Sequence, residues 1–370
     1  MLAFSGAGAA RIDPPVGDAD NRAFFKRGQS VFKNAKVFRL SAPFEWDQAS
    51  LHERLSAQRF RPCGPLEVAT IGWAPALGPT AEALAHAVNG CLLVAARRQE
   101  RLLPGSVVSE AVAERVAEIE QSELREVSRR ERTQLREALL TEMLPQAFTR
   151  SRLVRAYIDP QGGWAVVDAS SDKVAEEVLS LLRKSLDSFP AKPLEASVPV
   201  SERLSAWVAG GQAGEGFELE DQCELRDPSD SRSVVRCRGM DLTVPEVKAH
   251  LDSGKRVVAL GLTWQEHLSL VLDESLGLKR LRFADELVET AVDDAGEDEL
   301  LRQEAELNIM TGQLRAVLAG IMQAFGVPPA AETGSGAGPQ SGLPAGSVPE
   351  APAGSSAAPV SPAQDPTSVS

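Results

Sequence analysis

The sequence predicts an α+β fold with mixed antiparallel sheets and a projecting helical region. Runs such as VFKNAKVFRL and HLSLVLDE have the composition and patterning of strands. Stretches such as DKVAEEVLSLLRKSL repeat their apolar residues at helical spacing. The two kinds of segment do not alternate regularly, as they would in a parallel βαβ sheet, so an α+β architecture is favoured.

The first part of the chain is predicted to contain two strands and two helices. In order, these are the strand VFKNAKVFRL, the helix WDQASLHERLSAQRF, the helix TAEALAHAVNG and the buried strand CLLVAARR. Leu51 and Leu55 have the i, i+4 spacing of a helix that packs on one side. Asn89-Gly90 is interpreted as the C-cap of the second helix. From Val107 to about Met143 the pattern is helical and strongly charged.

The rest of the body is predicted to begin with a β-hairpin, LVRAYIDPQGGWAVVDA, and the amphipathic helix DKVAEEVLSLLRKSL. A Pro-rich connector leads to four strand-like segments, SVVRCRG, KRVVALGLTW, HLSLVLDE and LKRLRF. The helix PEVKAHLDSG lies between the first two, and Thr243 and Glu246 have the spacing of a capping box. A long helix, AELNIMTGQLRAVLAGIMQAFG, closes the body with a broad apolar stripe.

Composition shifts divide the chain into a multi-domain subunit. Residues 327–370 are rich in Pro, Ala, Gly and Ser and cannot bury enough apolar surface to offset the entropy of ordering. The predicted parts are a weakly ordered extension at 1–30, a central α+β domain at 31–104 with 151–192, a helical tip domain at 105–150, a C-terminal α+β base domain at 193–326 and a disordered tail at 327–370.

Composition also limits the classes of function. The formal net charge is -13, which argues against a uniformly basic DNA-binding surface, so any nucleic-acid contact must use a local positive patch. No run of 18 apolar residues occurs, and no export signal is visible at the start. The cysteines, predicted to be reduced and buried, and the histidines are scattered, so no metal or other cofactor is expected.

The stretch SELREVSRRERTQLRE concentrates arginines in this acidic chain. On a continuous helix, Arg125, Arg129, Arg132 and Arg136 fall on one side, within about 60° of one another. Leu124, Val127, Leu135 and Leu139 form an adjacent packing face. Such a ladder of guanidinium groups suits phosphate binding, whereas the neighbouring glutamates also fit a solvated face held by ion pairs. A third interpretation is that these arginines form a surface for a protein partner.

Further arginines follow or lie within predicted strands. Arg97 and Arg98 end one strand. In two others the arginines alternate with an apolar residue: Arg236 and Arg238 lie on either side of Cys237, and Arg280 and Arg282 lie on either side of Leu281. Because side chains alternate across a strand, each of the last two pairs is expected to share a sheet face. The segments fit either a charged concave surface or an ordinary solvent-facing sheet.

Catalytic motifs are weak. The glycine-rich GGQAGEG lacks the GK[ST] ending of a phosphate-binding loop. Asp241, Glu246 and Lys248 are similar in type to the residues of an Mg²⁺-dependent nuclease, but the capping-box interpretation explains two of these positions without chemistry. No GxSxG motif or Cys/His pairing is evident. The protein is therefore not expected to be an enzyme.

Several stretches, in order, resemble the bacterial recombination-associated protein RdgC family. They are VFKNAKVFRL, FRPCGPLEVATIGWAPALG, ALAHAVNGCLLVAARRQERLLP, LLTEMLPQAFTR, VVDASSDKVAEEVLSLLRKSL, DLTVPEVKAHLDSGKRVVALGLTW, LKRLRFADEL and MTGQL. The resemblance runs from about Val31 to Gly326. It raises the alternative that translation starts at Val31, and intact-mass measurement of the native protein tests this.

The resemblance implies a ring-shaped homodimer with a positively lined hole. It implies binding to double-stranded DNA without sequence preference, restraint of the recombinase RecA by competition for DNA, and no catalysis. Phe148 matches an aromatic residue at the family's dimer gate, and the apolar C-terminal helix supplies Leu314, Val317 and Ile321 as further interface candidates. Arg97, Arg98, Arg236 and Arg238 match basic positions of the family, and the arginines of 125–136 lie in a region that is also basic in relatives.

The predicted DNA-binding set is Arg97, Arg98, Arg125, Arg129, Arg132, Arg136, Arg236, Arg238, Arg280 and Arg282. Gly239-Met240 departs from relatives, which can carry polar or basic residues there. The expected location is cytoplasmic and nucleoid-associated, with no membrane partner. The alternative function is a protein-interaction factor that acts directly on the recombinase or the replication machinery, with DNA binding secondary.

Overall fold

The computed structural model describes residues 32–78, 81–295 and 298–328, with the side chains of 290–294 left aside. Within them, one antiparallel sheet of 12 strands packs with eight α-helices. This confirms the α+β class. The predicted extension 1–30 lies outside the described residues, as does the predicted tail 327–370 except for Val327 and Pro328.

The strands are β1 (Asn34–Leu40), β2 (Ala69–Ala74), β3 (Ala85–Val88), β4 (Cys91–Arg101), β5 (Thr149–Asp159), β6 (Trp164–Val167), β7 (Ala191–Pro193), β8 (Phe217–Arg226), β9 (Val234–Arg238), β10 (Arg256–Trp264), β11 (Leu268–Asp273) and β12 (Leu278–Phe283). The helices are α1 (Gln48–Ser56), α2 (Gly105–Glu123), α3 (Arg129–Met143), α4 (Asp172–Leu186), α5 (Val200–Gly210), α6 (Pro245–Asp252), α7 (Asp285–Asp294) and α8 (Glu299–Phe325).

The sheet consists of two halves that meet at β1. Its order is β2-β4-β5-β6-β1-β12-β11-β10-β8-β9, with β3 also paired to β4 and β7 to β1. At the junction the first residues of β1 pair with β12, Asn34 opposite Lys279 and Ala35 opposite Leu278. The following residues of β1 pair with β6 on the other side. A single strand thus joins an N-terminal half-sheet to a C-terminal half-sheet.

Most of the predicted elements are confirmed. The strands at β1, β4 and β9 to β12 are present, as are the β5–β6 hairpin and helices α1, α4, α6 and α8. Leu51 and Leu55 are fully buried on α1, and α4 buries Val178, Leu181 and Leu182 as its amphipathic pattern predicts. Strands β2, β7 and β8 and helices α5 and α7 are present but were not predicted.

The predicted helix TAEALAHAVNG is wrong, because its second half is strand β3. Val88 pairs directly with Cys91 across Asn89-Gly90. Both turn residues have positive φ, 50° at Asn89 and 72° at Gly90, as in the two-residue turns that match the twist of a hairpin. Asn-Gly is a strong hairpin signal, and here it outweighs the helical propensity of the alanines before it.

The predicted capping box at α6 is also wrong. The helix begins after Val244, and no side chain caps it. The Thr243 hydroxyl donates instead to the Asp241 carboxylate at 2.7 Å, and the Thr243 amide donates to the same oxygen. These bonds lower the pKa of Asp241, the backbone bond contributing most.

The core lies on both faces of the sheet. One cluster packs α1 and α4 against the N-terminal half, and the other packs α5, α6 and α8 against both halves. Leu314, Val317 and Ile321 of α8 are each 0% exposed within the second cluster. These three candidates for a dimer interface therefore form the core of one chain and offer no surface to a second.

A buried ion pair fixes α8 to the N-terminal half-sheet. Asp159 is 0% exposed at the β5–β6 turn, and the Arg315 side chain reaches it at 2.8 Å. The other oxygen of the Asp159 carboxylate accepts bonds from the Gln161 and Gly162 amides. Arg315 also donates to the Asn89 carbonyl, so one arginine ties α8 to two neighbouring hairpin turns.

A second buried network fastens the two half-sheets together at β1. Lys36 is 7% exposed, lies 2.9 Å from Asp172 and 3.9 Å from Asp273, and donates to the Ser275 hydroxyl. Lys279 approaches Asp273 at 2.8 Å. Burial acts to raise the pKa of Asp273, but bonds from Lys279, Ser275 and the Gly277 amide outweigh it and lower the pKa. The ionised carboxylate therefore stabilises this junction.

Replacing Asp273 with Asn should lower the free energy of unfolding by about 3 kcal/mol at neutral pH, because Lys36 and Lys279 lose a buried partner. Since the pKa of Asp273 is lowered on folding, its contribution exists above the ordinary value of 3.8 and fades as pH falls below it. Urea denaturation from neutral to acid pH measures this. Asp187→Asn, at an exposed ion pair with Arg54, is the control and should cost under about 1 kcal/mol. Equal losses in both variants would contradict the account.

Candidate nucleic-acid interface

The exposed face of the C-terminal half-sheet carries four of the predicted arginines. Arg236 and Arg238 of β9 are exposed, while Cys237 between them is buried, which confirms the predicted alternation. Arg280 and Arg282 of β12 are exposed around the buried Leu281. The other face of these strands packs in the core, so the arginines project away from it. We call this surface the basic face.

A bulged region of β8 connects the arginines of β9 and β12. Arg238 is paired with Gln222, and Arg280 donates to the Gln222 side chain at 2.7 Å. Between 219 and 223 the β8 register shifts, and a Cβ on Gly261 would meet the Gln222 side chain at 2.6 Å. Because glycine leaves this space open, Gln222 can lie across β10 and reach Arg280.

The cations of the basic face are only partly neutralised. Arg236 donates to Glu224 at 2.9 Å. Burial acts to raise the pKa of Glu224, but bonds from Arg236 and then Arg226 lower it overall, so the carboxylate stays charged. Within the residues that the structure describes, Arg238 and Arg282 have neither an ion pair nor a side-chain hydrogen bond. A shallow pocket between Arg236, Arg238 and Arg280 gives the face a concave centre.

Arg97 and Arg98 are not part of the basic face. As neighbours on β4 they project to opposite sides of the N-terminal half-sheet. Arg97 is 7% exposed and lies over the Phe60 ring at 4.6 Å. Arg98 forms ion pairs with Glu100 at 3.5 Å and Glu177 at 3.1 Å. Both side chains are engaged in the subunit itself, and Arg97 has little surface left for a phosphate.

The predicted continuous helix through residues 122–137 is wrong. Helix α2 ends at Glu123, Leu124 takes a left-handed φ of 49°, and α3 begins at Arg129 after the N-cap Ser128. Leu124, predicted to pack, is 89% exposed at this turn. The Ser128 side chain accepts from the Glu131 amide. The spacing Ser-Arg-Arg-Glu is a helix-start signal, and it outweighs the helical periodicity of the arginines. We call α2 and α3 the helical hairpin.

The break separates the four arginines of the predicted stripe. Arg125 lies in the turn, where it bonds to Glu131 at 2.6 Å and to Glu123. These bonds, first to Glu131 and then to Glu123, raise the pKa of Arg125. Arg129, Arg132 and Arg136 remain together on α3, where Arg132 contacts Glu120 at 3.4 Å and Arg136 contacts the Ser109 hydroxyl. Much of the predicted arginine stripe is therefore a solvated surface held by ion pairs, the second of the interpretations given for it above.

Phe148 is exposed at the base of the helical hairpin. It follows a 3-10 turn, Leu144–Gln146, and is 84% exposed just before β5. The Phe148 carbonyl accepts a hydrogen bond from the Leu102 amide. The neighbouring Arg101 amide donates to the Val68 carbonyl. Leu102 is 44% exposed and Val68 is 64% exposed. Phe148 and Leu102 are neighbours across their hydrogen bond, and together they form an exposed apolar patch.

Within residues 32–78, 81–295 and 298–328, no three His, Cys, Asp or Glu side chains are grouped to hold a metal ion. In the same residues, no helix is long and apolar enough to cross a bilayer. The Asp241 carboxylate, weighed as a nuclease ligand, is engaged with Thr243.

The fold and the basic face define the class of the protein: an α+β chain, acidic overall, with one long antiparallel sheet and a local cationic surface. The family model described as "Putative exonuclease, RdgC" matches residues 31–328. The chain belongs to this RdgC family, as the sequence analysis predicted.

Curated relatives carry the name recombination-associated protein RdgC. The relative from Tolumonas auensis is 38% identical over 295 residues, which cover 80% of this chain and 98% of the relative. The relative from Pseudomonas aeruginosa PAO1 is 40% identical over 296 residues, 80% of this chain and 97% of the relative. The relative from Aeromonas hydrophila is 37% identical over 295 residues, with coverage of 80% and 97%.

Replacing Glu120 with Ala should loosen the turn of the helical hairpin, because its carboxylate accepts from the Val127 amide at 3.0 Å and contacts Arg132. We expect a local loss of about 1–2 kcal/mol, seen as faster hydrogen exchange at Val127 and in the first turn of α3. Glu118→Ala on the same helix removes only an exposed ion pair with Arg115 and serves as the control. Unchanged exchange at Val127 would show that Glu120 does not hold the turn.

Proposed function

We propose that this protein binds double-stranded DNA without sequence preference, encloses it as a ring-shaped homodimer, and restrains recombination by limiting access of the RecA recombinase. The family and the recombination-associated names of the relatives support a role in recombination. The observation that carries the proposal is the basic face, where four exposed arginines converge on one side of the sheet.

The chemistry of the basic face suits phosphates rather than base edges. Guanidinium groups bind phosphate oxygens through paired N–H donors, and such contacts carry no sequence information. Arg238 and Arg282 have no acidic partner among the described residues, so a phosphate meets them without displacing a carboxylate. Arg236 and Arg280 flank them and widen the surface.

The acidic character of the rest of the chain gives this arrangement its selectivity. A net charge of -13 repels a polyanion from most of the surface. Duplex DNA is therefore favoured only where cations are concentrated. Enclosure by two subunits compensates for a small number of phosphate contacts, since a ring prevents escape even when each contact is weak. We infer that the basic faces of the two subunits line the hole.

The exposed apolar patch is the proposed contact between subunits. An 84% exposed phenylalanine beside Leu102 is costly to leave in water, and burial against a second copy removes that cost. Phe148 matches the family's dimer gate, as the resemblance implies. We infer that Phe148 of one subunit packs against the other and closes the ring near the helical hairpins.

The alternative function is direct contact with the recombinase or the replication machinery. Two observations favour it: Arg125 and Arg132 of the helical hairpin are paired with Glu123, Glu131 and Glu120, and Leu124 is 89% exposed at its tip. Gel shifts with and without the recombinase distinguish the two functions. If the protein is a DNA-binding ring, it shifts duplex DNA without the recombinase. On the alternative, binding depends on the recombinase.

The double variant Arg238→Gln with Arg282→Gln should weaken duplex binding and flatten its dependence on salt. Each lost phosphate contact removes about 0.9 from the slope of log affinity against log salt concentration. Fluorescence anisotropy with a labelled duplex, from low to moderate salt, measures the slope. Arg183→Gln with Arg232→Gln, which removes two cations paired with Glu176 and Asp230, is the charge-matched control.

An unchanged slope in the Arg238/Arg282 variant would exclude the basic face from DNA binding. The same samples with Mg²⁺ also test the exonuclease described by the family model. Shortening of the labelled strand by the purified protein would contradict the non-catalytic proposal.

Replacing Phe148 with Asp should shift the protein from dimer toward monomer, because a carboxylate cannot be buried unpaired in an apolar contact. Sedimentation velocity over a range of concentrations measures the dissociation constant. Leu124→Asp, at an equally exposed apolar residue at the hairpin tip, is the control and should leave dimerisation unchanged. If only Leu124→Asp dissociates the dimer, the contact lies at the tip instead.

A further inference from the structure

The register of β8 and β9 brings two cysteines together that are far apart in the sequence. Cys223 and Cys237 are directly opposite in this antiparallel pair. They are 6% and 7% exposed, and burial and the neighbouring Cys237 both raise the pKa of Cys223. Both side chains point to the core side, immediately behind Gln222, Glu224, Arg236 and Arg238 of the basic face.

The spacing of the two strands is compatible with a disulfide. The Asp227 amide donates to the Ser233 carbonyl, so these two residues form a hydrogen-bonded pair. Hydrogen-bonded and non-hydrogen-bonded pairs alternate along a regular antiparallel ladder, and Cys223–Cys237 lies four residues further along, so it is also a hydrogen-bonded pair. Cα atoms in such a pair are about 5.5 Å apart, within the usual range for disulfides. The Cβ atoms of a hydrogen-bonded pair are farther apart than those of a non-hydrogen-bonded pair, so forming the S–S bond requires a small shift of one strand. β9 is the last strand of the sheet and can make that shift.

Cys63 and Cys91 cannot form a similar pair. The Cys63 thiol contacts the Gln99 carbonyl at 3.2 Å, near one end of β4. Cys91 is the first residue of the same strand, eight positions away, which corresponds to about 27 Å along an extended chain. Of the four cysteines, Cys223 and Cys237 are therefore the pair positioned to bond within one chain.

We propose that Cys223 and Cys237 form a site of reversible oxidation, at which a peroxide converts the two thiols into a cross-strand disulfide. One thiolate attacks the peroxide, forming a sulfenic acid and releasing the first water. The second thiol then displaces the sulfenic oxygen as a second water and forms the S–S bond. The two sulfurs lose two electrons and two protons in total, and hydrogen peroxide takes them up as two waters.

The site reacts slowly in the intact subunit and responds to opening of the edge strand. Burial first, and then the neighbouring Cys237, raises the pKa of Cys223 to about 12, so thiolate is scarce at neutral pH. The rate of oxidation therefore rises with pH in the alkaline range. A disulfide that displaces β9 is strained and easily reduced by thiols. It also moves Arg236 and Arg238, which flank Cys237 on the opposite face.

The experiment uses the full chain, reduced and then treated with hydrogen peroxide. Remaining thiols are alkylated under denaturing conditions, and the protein is cleaved after Arg226, which separates the two cysteines. Mass spectrometry should show a Cys223–Cys237 cross-linked peptide pair, two hydrogens lighter than its parts. Dithiothreitol should restore alkylation at both residues.

Cys63→Ser is the matched control and should form the same cross-link, whereas Cys223→Ser should not. The wild-type peptide map stands by itself if a variant fails to fold, and it does not depend on DNA binding. Complete alkylation of both cysteines after peroxide treatment would overturn the proposal. So would sulfinic acid at either residue without any cross-linked peptide.

Discussion

The architecture depends on one constraint: strand β1 must pair with both half-sheets at once. In the described part of the chain two residue pairs join β1 to β12, and the buried network around Lys36, Asp273 and Lys279 reinforces this short connection. Helix α8 lies over the same junction, with Arg315 bound to Asp159 and the Met310 sulfur accepting from the Phe32 amide. This junction connects the half-sheet that carries the basic face to the half-sheet that carries the helical hairpin.

Strand alternation and core packing explain how an acidic chain can present a cationic surface. Strand alternation places Arg236 and Arg238 outward, and core packing of Cys237 and Leu281 prevents the strands from turning over. Glu224 stays ionised beside Arg236 and limits the local positive charge. The balance leaves Arg238 and Arg282 as the cations among the four that lack a partner in the described part of the chain.

The periodicity of apolar residues correctly predicted elements that no local turn interrupts, such as α4, α8 and the strands around Arg236 and Arg280. It failed where a local turn decides the structure, at Asn89-Gly90 and at Ser128, because a turn signal of two to four residues competes with a longer propensity trend. Alternation predicted that Arg236 shares an exposed face with Arg238, and Arg280 with Arg282, but the meeting of the two pairs on one surface depends on the strand order. The burial of Arg97, the bond from Arg280 to Gln222 and the pairing of Cys223 with Cys237 were not predictable, because each depends on the register between strands distant in sequence.

The most direct test of the central claim is photo-crosslinking from the two sides of the C-terminal half-sheet. A photoreactive amino acid at Val271, which lines the pocket of the basic face, is compared with one at Ala206, exposed on α5. With a labelled duplex of arbitrary sequence, the account predicts strong cross-linking from Val271 and little from Ala206. Cross-linking from Ala206 alone, or equally from both positions, would contradict it.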